Sequence, residues 1–272
     1  MNALISSGAG RWLGGRRGFP AALLAAALAC LILTPAARAE ETLQVTGSLW
    51  SPYIDGDLPE AGLATDLVRT GLTRAGFDIQ ANVETWSRAY QGVAVGVYDV
   101  VVSVWETRAR SEDLLFSEPY LMNDIVFLSR ADLLVDYQGP ADLIGYRIGV
   151  ERDFAYDEAF DSDPNLTRVV NDHLIQNLLL LRQGKLDLLV GDKWSILYQI
   201  SEFMPADISA FRILSKPLIR RALRMGVSRT NPNAQEIVSR FDAAMKVMRE
   251  DGTYNAIVKK HTDGIAVLPS RR

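Results

Sequence analysis

The spacing of apolar and polar positions predicts a chain in which short strands alternate with helices. Strands are predicted where apolar residues run together, and helices where they recur every three or four positions. The predicted strands are residues 43–47, 77–83, 99–102, 125–129, 147–150, 186–190 and 223–228; the predicted helices are residues 63–75, 86–96, 173–181, 193–200, 234–248 and 254–260. Alternation of this kind is typical of βαβ units, so the pattern predicts an α/β fold with a parallel sheet.

One of these strands leads directly into a cluster of polar residues. Val100 to Val102 have no polar break, as expected of a strand covered on both faces. Within the next eight positions come Ser103, Trp105, Glu106, Thr107, Arg108 and Arg110. Because ligands of open α/β sheets bind beyond the carboxyl ends of the strands, we expect a ligand here, and the guanidinium groups indicate that it is anionic.

A short internal repeat predicts two lobes. Residues 96–102 and 184–190 share the pattern G-x-[YL]-D-apolar-apolar-Val, and each follows a predicted helix. Two lobes of like construction with facing strand ends would form a cleft, which is a common place for a small-molecule site.

The first 39 residues have the pattern of a signal peptide. A basic segment with Arg16 and Arg17 precedes an apolar run, and Ala37-Arg38-Ala39 fits a cleavage site, so an exported protein beginning at Glu40 is predicted. Two alternatives stay open: the paired arginines also fit a twin-arginine signal, and Cys30 could carry a lipid.

Charge and cysteine content narrow the function classes. The 39-residue leader holds four of the 29 basic and none of the 33 acidic residues. The rest of the chain therefore has 25 basic and 33 acidic side chains, which gives it a net charge of −8. This balance argues against a nucleic-acid partner. The only cysteine lies in the leader, and no cofactor or metal-ligand spacing is present, so neither is predicted.

The motifs resemble those of the type II periplasmic solute-binding proteins of family 3, which include the polar amino acid receptors of ABC transporters. The resemblance rests on Gly96-x-Tyr98-Asp99, Thr107-x-x-Arg110, Phe116-Ser117-x-Pro119-Tyr120, Asp142 to Val150, Gly184 to Asp187 and Asp251-Gly252-Thr253. It implies a two-lobed periplasmic-binding-protein-like (type II) fold with a ligand cleft between the lobes. Residues 40–128 and 224–272 would form the first lobe and residues 129–223 the second, with crossing segments near residues 126–130 and 224–228. The resemblance also implies a monomer that closes over an amino acid or related carboxylate and delivers it to an inner-membrane permease.

The resemblance also suggests which residues hold the ligand. Arg110 matches the arginine that pairs with the ligand carboxylate, which its planar fork of donors suits. Asp192 matches the acid that accepts the ammonium group, although it could equally be a helix N-cap. Ser103 and Thr107 could bind the ligand or cap the loop.

Aromatic residues distinguish this chain from the family pattern. Trp50 is expected to contact the ligand and Trp86 to pack in the core. Trp105 and Phe154 replace smaller residues, and the segment 151–155 replaces a Gly/Thr-rich turn. These substitutions predict a bulkier ligand between aromatic walls.

Two other functions stay open. A periplasmic dehydratase of the same fold could use Glu106 or Glu151 as its acid, and a ligand receptor could instead act on a separate signalling partner. Against an enzyme, the chain has no nucleophile elbow or P-loop. His173 and His261 are predicted to be surface or hydrogen-bonded side chains.

Overall fold

A computed structural model describes residues 41–265, so the predicted signal peptide and its cleavage site lie outside the described residues. The strands are β1 (Glu41–Ser48), β2 (Phe77–Glu84), β3 (Val100–Trp105), β4 (Leu114–Phe116), β5 (Leu121–Arg130), β6 (Arg147–Glu151), β7 (Thr167–Asn171), β8 (Leu188–Asp192), β9 (Phe211–Ile213) and β10 (Ile219–Ser228). The helices are α1 (Leu63–Arg74), α2 (Trp86–Ala94), α3 (Arg110–Asp113), α4 (Glu158–Ser162), α5 (Leu174–Arg182), α6 (Lys193–Phe203), α7 (Ala234–Glu250) and α8 (Thr253–Thr262). Every predicted strand and helix is present, and β4, β7, β9, α3 and α4 are additional.

The sheet is mixed rather than parallel throughout. Its strand order is β2-β1-β3-β10-β5-β8-β6-β7, with β4 beside β10 and β9 beside β5. Strands β1, β2 and β3 form one parallel series and β6, β7 and β8 a second. Between them, β5 and β10 are antiparallel to their neighbours, because each of these strands runs back from one series to the other. The expectation of a parallel sheet is therefore correct within each series and wrong at these two strands.

Strands β5 and β10 connect the two series. Residues 121–125 of β5 pair with residues 219–223 of β10, while the rest of β5 pairs with β8 and the rest of β10 with β3 and β4. The segments predicted to cross, 126–130 and 224–228, thus lie just past this pairing in each strand. The lobe boundaries given above stay a prediction.

The seven-residue repeat corresponds to the same local structure in both series. The Asp99 carboxylate accepts the backbone N–H of Gln44 (2.8 Å), and the Gln44 carbonyl accepts the N–H of Asp99 (2.8 Å). Asp187 makes the same two bonds with Arg147, both over 2.9 Å. In each case an acid just before a central strand forms two hydrogen bonds with one backbone residue of the neighbouring strand, which sets the register of that parallel pair.

Helices cover the first series and tie the C-terminal part of the chain to it. Helix α7 packs on α1, where Gly71 allows the ring of Phe241 to approach the helix backbone closely. Helix α8 contacts both helices. Within residues 41–265, none of the helices is both long and apolar enough to span a membrane.

Candidate ligand-binding cleft

A cleft of about 630 Å³ lies where the carboxyl ends of the two strand series face each other. From the first series it is lined by the ends of β1, β2 and β3, and from the second by the ends of β6 and β7 with the loops that follow them. This is the position where an α/β sheet places ligands, because polar residues after each strand converge there. The volume is in the range of small-molecule sites.

Three aromatic rings form one wall of the cleft. Trp50 follows β1, Trp105 ends β3, and Phe154 lies in the loop after β6. The Trp105 and Phe154 rings meet edge to face with centroids 5.0 Å apart, and Trp50 meets each of them edge to face at 5.8 and 6.2 Å. The predicted aromatic residues are thus brought together, and the rings of the two series touch each other.

The Trp105 indole is held in place by a buried polar network. Its Nε1 donates to Oδ1 of Asn123 over 3.0 Å, and the Arg221 guanidinium lies 5.2 Å from its ring centre. Asn123 in turn donates from Nδ2 to the Tyr53 hydroxyl and to Asp192, both over 2.9 Å. Because an indole N–H buried without a partner is costly, Asn123 defines the orientation of this ring.

Arg110 lies on the first-series side of the cleft. One of its guanidinium nitrogens donates to the carbonyl of Trp105 over 2.9 Å, and the group stacks 4.7 Å above the ring of Trp86. Burial, and then the charge of Arg221, lower the pKa of Arg110 from its usual value. Among the described residues no carboxylate forms an ion pair with it. The remaining donors can therefore receive an anionic group.

Asp192 does not line the cleft. It is 1% exposed, and its Oδ1 accepts from the Tyr53 hydroxyl (3.0 Å) and from the N–H of Ser195 (2.9 Å), which makes it the N-cap of α6. Its Oδ2 accepts from Asn123. Burial raises the pKa of Asp192 to about 6 in spite of these bonds, which act to lower it. The contacts of Asp192 are those of a helix N-cap. Its role as the acceptor of the ligand's ammonium group stays a prediction.

Glu151 is a cleft residue that the sequence analysis considered only as an acid for an enzyme. It is the last residue of β6, it is half-buried, and its carboxylate lies near the backbone N–H of Leu174 at the start of α5. Burial raises the pKa of Glu151 to about 7, more than the nearby Leu174 N–H lowers it, and the nearby charge of Asp192 adds to the rise. The sequence signal that could have identified Glu151 as a ligand-binding residue is its position at the end of a predicted strand.

The other predicted ligand-binding residues differ in position. Ser103 lines the cleft on β3. Thr107 is not part of the lining, since its hydroxyl accepts the N–H of Arg110 (3.2 Å) and closes the turn that begins α3. In the loop after β6, Asp153 has a φ of 59°, so it takes the left-handed conformation that glycine usually supplies.

Several cleft residues were missed. Asp172 and His173, which follow β7, line the cleft, and so does Arg152, whose Nε contacts Asp172 at 2.7 Å. Strand β7 itself was not predicted, so nothing in the sequence placed these residues at a strand end. Trp86 lines the cleft while also packing on Tyr90, whereas Trp194, near the start of α6, packs against the core. Within residues 41–265, no group of three His, Cys, Asp or Glu side chains is arranged to hold a metal ion.

Comparisons with known proteins agree with this architecture. The sequence model of the bacterial extracellular solute-binding proteins, family 3, matches residues 50–264. The arginine-binding periplasmic protein of Mannheimia haemolytica is 24% identical over 159 residues, which is 58% of this chain; the chain spans 63%, less than two thirds, of that relative's length.

Two solved structures illustrate the range of similar folds. An amino acid ABC transporter substrate-binding protein of Streptococcus pneumoniae bound to L-arginine is 16% identical, with a TM-score of 0.67 over 83% of this chain and 97% of that one. A histidine kinase sensor domain with similarity to periplasmic binding proteins is 21% identical, with a TM-score of 0.66 over 81% of this chain and 96% of that one. The likeness shows a two-lobed periplasmic-binding-protein fold.

Proposed function

Since the chain belongs to family 3 of the bacterial extracellular solute-binding proteins, we propose that it binds an amino acid in the cleft, with arginine as the first candidate. The observation that carries this proposal is Arg110, a partly buried guanidinium that lines the cleft and has no carboxylate partner among the described residues. The carboxylate of an amino acid would supply that partner through two parallel hydrogen bonds.

Charge and aromatic content support a ligand with a cationic side chain. Four carboxylates line the cleft, those of Glu84, Glu151, Asp153 and Asp172, against the guanidiniums of Arg110 and Arg152. Aromatic faces attract guanidinium groups, and the wall of Trp50, Trp105 and Phe154 offers such faces. Arginine, which the similar proteins of M. haemolytica and S. pneumoniae bind, fits both features, and its length suits the bulkier site that the aromatic substitutions predict.

The proposal is tested by titrating the chain from Glu40 onward with each of the twenty L-amino acids in a calorimeter. L-arginine is expected to bind, and Arg110→Ala is expected to weaken binding by about 30-fold or more, because truncating one partner of a buried charge pair costs about 2–5 kcal/mol. The matched control is Arg108→Ala, which removes an exposed arginine outside the cleft lining. Wild-type affinity in a folded Arg110→Ala variant would contradict the proposal.

The cellular role that we propose is capture of the amino acid in the periplasm by a monomer and its delivery to an ABC permease in the inner membrane. A deletion strain should then lose uptake of radiolabelled arginine, and a plasmid copy should restore it. The chain should release arginine unchanged, so an NMR spectrum of arginine after prolonged incubation should show no product; a product would favour the dehydratase alternative.

A second candidate is a receptor that reports ligand to a separate signalling partner. It is favoured by the likeness to the histidine kinase sensor domain. The same deletion strain separates the two roles: unchanged arginine uptake together with an altered transcriptional response to arginine would support the receptor.

A further inference from the structure

The ammonium group of an amino acid requires an anionic partner in the cleft, and the cleft acids differ in their availability. Asp192 has its carboxylate oxygens occupied by Tyr53, Asn123 and the start of α6, and it lies outside the lining. A ligand could reach it only by displacing buried hydrogen bonds, each of which is costly to leave unmade.

Three other acids in the lining are less suited than Glu151. Asp172 is paired with Arg152 at 2.7 Å, and both side chains are exposed. Glu84 accepts the Tyr98 hydroxyl over 3.1 Å. Asp153 is an exposed residue of the loop after β6. Exposed acids such as Asp153 and Asp172 interact weakly with a charged partner in water, and Glu84, which is half-buried, is already paired with Arg88 at 3.6 Å.

Glu151 combines the features that an ammonium acceptor needs. Glu151 is half-buried and lines the cleft, and its carboxylate lies near the backbone N–H of Leu174 at the N-terminus of α5. Among the described residues no lysine or arginine forms an ion pair with it. Since a carboxylate has about four acceptor sites, Glu151 retains free acceptors toward the cleft.

Arg110 and Glu151 thus present opposite charges from the two strand series without pairing with each other. Among the described residues, Arg110 and Glu151 form no ion pair with each other. A zwitterion between them would pair both charges at once, which is the favourable way to bury them.

We propose that Glu151, and not Asp192, accepts the α-ammonium group of the ligand. This inference rests on the proposed function, and it assigns Asp192 to the buried network that holds Trp105 in place. It also restricts the ligand class: the cleft should select compounds that carry both an amine and a carboxylate over the corresponding acids that lack the amine.

The experiment compares L-arginine with 5-guanidinopentanoic acid, which lacks only the α-amine, by calorimetry on four proteins. These are wild type, Glu151→Gln, Asp192→Asn and a matched control, Glu202→Gln, which alters an exposed glutamate of α6 away from the cleft. Glutamine keeps the length of the side chain and one carbonyl acceptor, so Glu151→Gln removes the negative charge with little other change.

Wild type, Asp192→Asn and Glu202→Gln are expected to prefer arginine by about tenfold or more, as loss of a hydrogen bond to a charged group implies. Glu151→Gln should bind arginine at least tenfold more weakly while its affinity for 5-guanidinopentanoic acid stays unchanged, so that the preference disappears. Circular dichroism confirms that each variant is folded.

Three results would overturn the inference. Retained preference in Glu151→Gln would exclude Glu151 as the acceptor, and loss of preference in Asp192→Asn alone would return that role to Asp192. An equal loss of both ligands in Glu151→Gln would place Glu151 against the guanidinium end instead. Absence of arginine binding to wild type would overturn the proposed function itself, so the two failures are distinguishable.

Discussion

Asn123 donates a hydrogen bond from Nδ2 to Oδ2 of Asp192 over 2.9 Å, and both residues are at most 1% exposed. This bond joins strand β5, which runs between the two strand series, to the N-terminus of α6. The same amide accepts from the Trp105 indole. A single asparagine therefore connects the aromatic wall of the cleft to the end of a strand in the second series.

Replacing this asparagine should destabilise the fold. Asn123→Ala leaves the Trp105 N–H and one Asp192 oxygen without their buried partner, and each such loss costs about 1–3 kcal/mol, so we expect the free energy of unfolding to fall by about 2–6 kcal/mol. Urea denaturation at pH 7 measures the change. Asn82→Ala, on the exposed side of β2, is the control and should stay within about 0.5 kcal/mol of wild type. A similarly small effect of Asn123→Ala would show that the network contributes little.

The buried carboxyl of Asp192 should make stability depend on pH. Its pKa is about 6 in the folded protein, against about 3.9 in an unfolded chain. The folded state therefore binds the proton more tightly than the unfolded chain does. Protonation of Asp192 stabilises the fold by up to about 2–3 kcal/mol, and this stabilisation is fully present below about pH 4 and is lost as the pH rises to about 6.

Asp192→Asn isolates this effect, because the variant cannot titrate at this position while Glu151 and the other acids remain. Urea denaturation of both proteins at pH 4, 5, 6 and 7 should show wild type losing more stability than the variant between pH 4 and 6. Parallel curves would contradict the assignment of a raised pKa to Asp192.

Gly71 should be intolerant of a methyl group. A Cβ at this position would lie 2.7 Å from Cε2 of Phe241, whose side chain is fully buried, so the ring would have to shift. A Gly→Ala change inside a helix normally stabilises by about 1 kcal/mol, but overpacking costs about 1–3 kcal/mol. We expect Gly71→Ala to lower the free energy of unfolding by up to about 2 kcal/mol.

Thermal and urea denaturation would test this prediction. Thr73→Ala, two positions along the same helix and exposed, should instead be neutral or slightly stabilising because alanine has the higher helix propensity. A Gly71→Ala protein more stable than wild type would show that α1 and α7 can separate at little cost.

The sequence by itself determined the order and kind of the main elements, and with them the place of the cleft. Apolar periodicity located the long strands and helices because burial of apolar side chains decides both, and the acids Asp99 and Asp187 marked equivalent strand starts. The short strands β4, β7 and β9 escaped detection, since three to five residues carry too little periodicity. Arg110 followed from its place after a buried strand, whereas the aromatic residues of the wall followed from the family resemblance.

Tertiary structure alone decided which polar groups face the cleft. Asp192 and Glu151 both stand at the ends of buried strands, and no local pattern distinguishes an acid whose oxygens are occupied from one that is free. The partners of Asp192 are Tyr53 and Asn123, which are 139 and 69 positions away along the chain. Hydrogen bonds between such distant residues form only when the strands are assembled, so the availability of each carboxylate is a property of the fold.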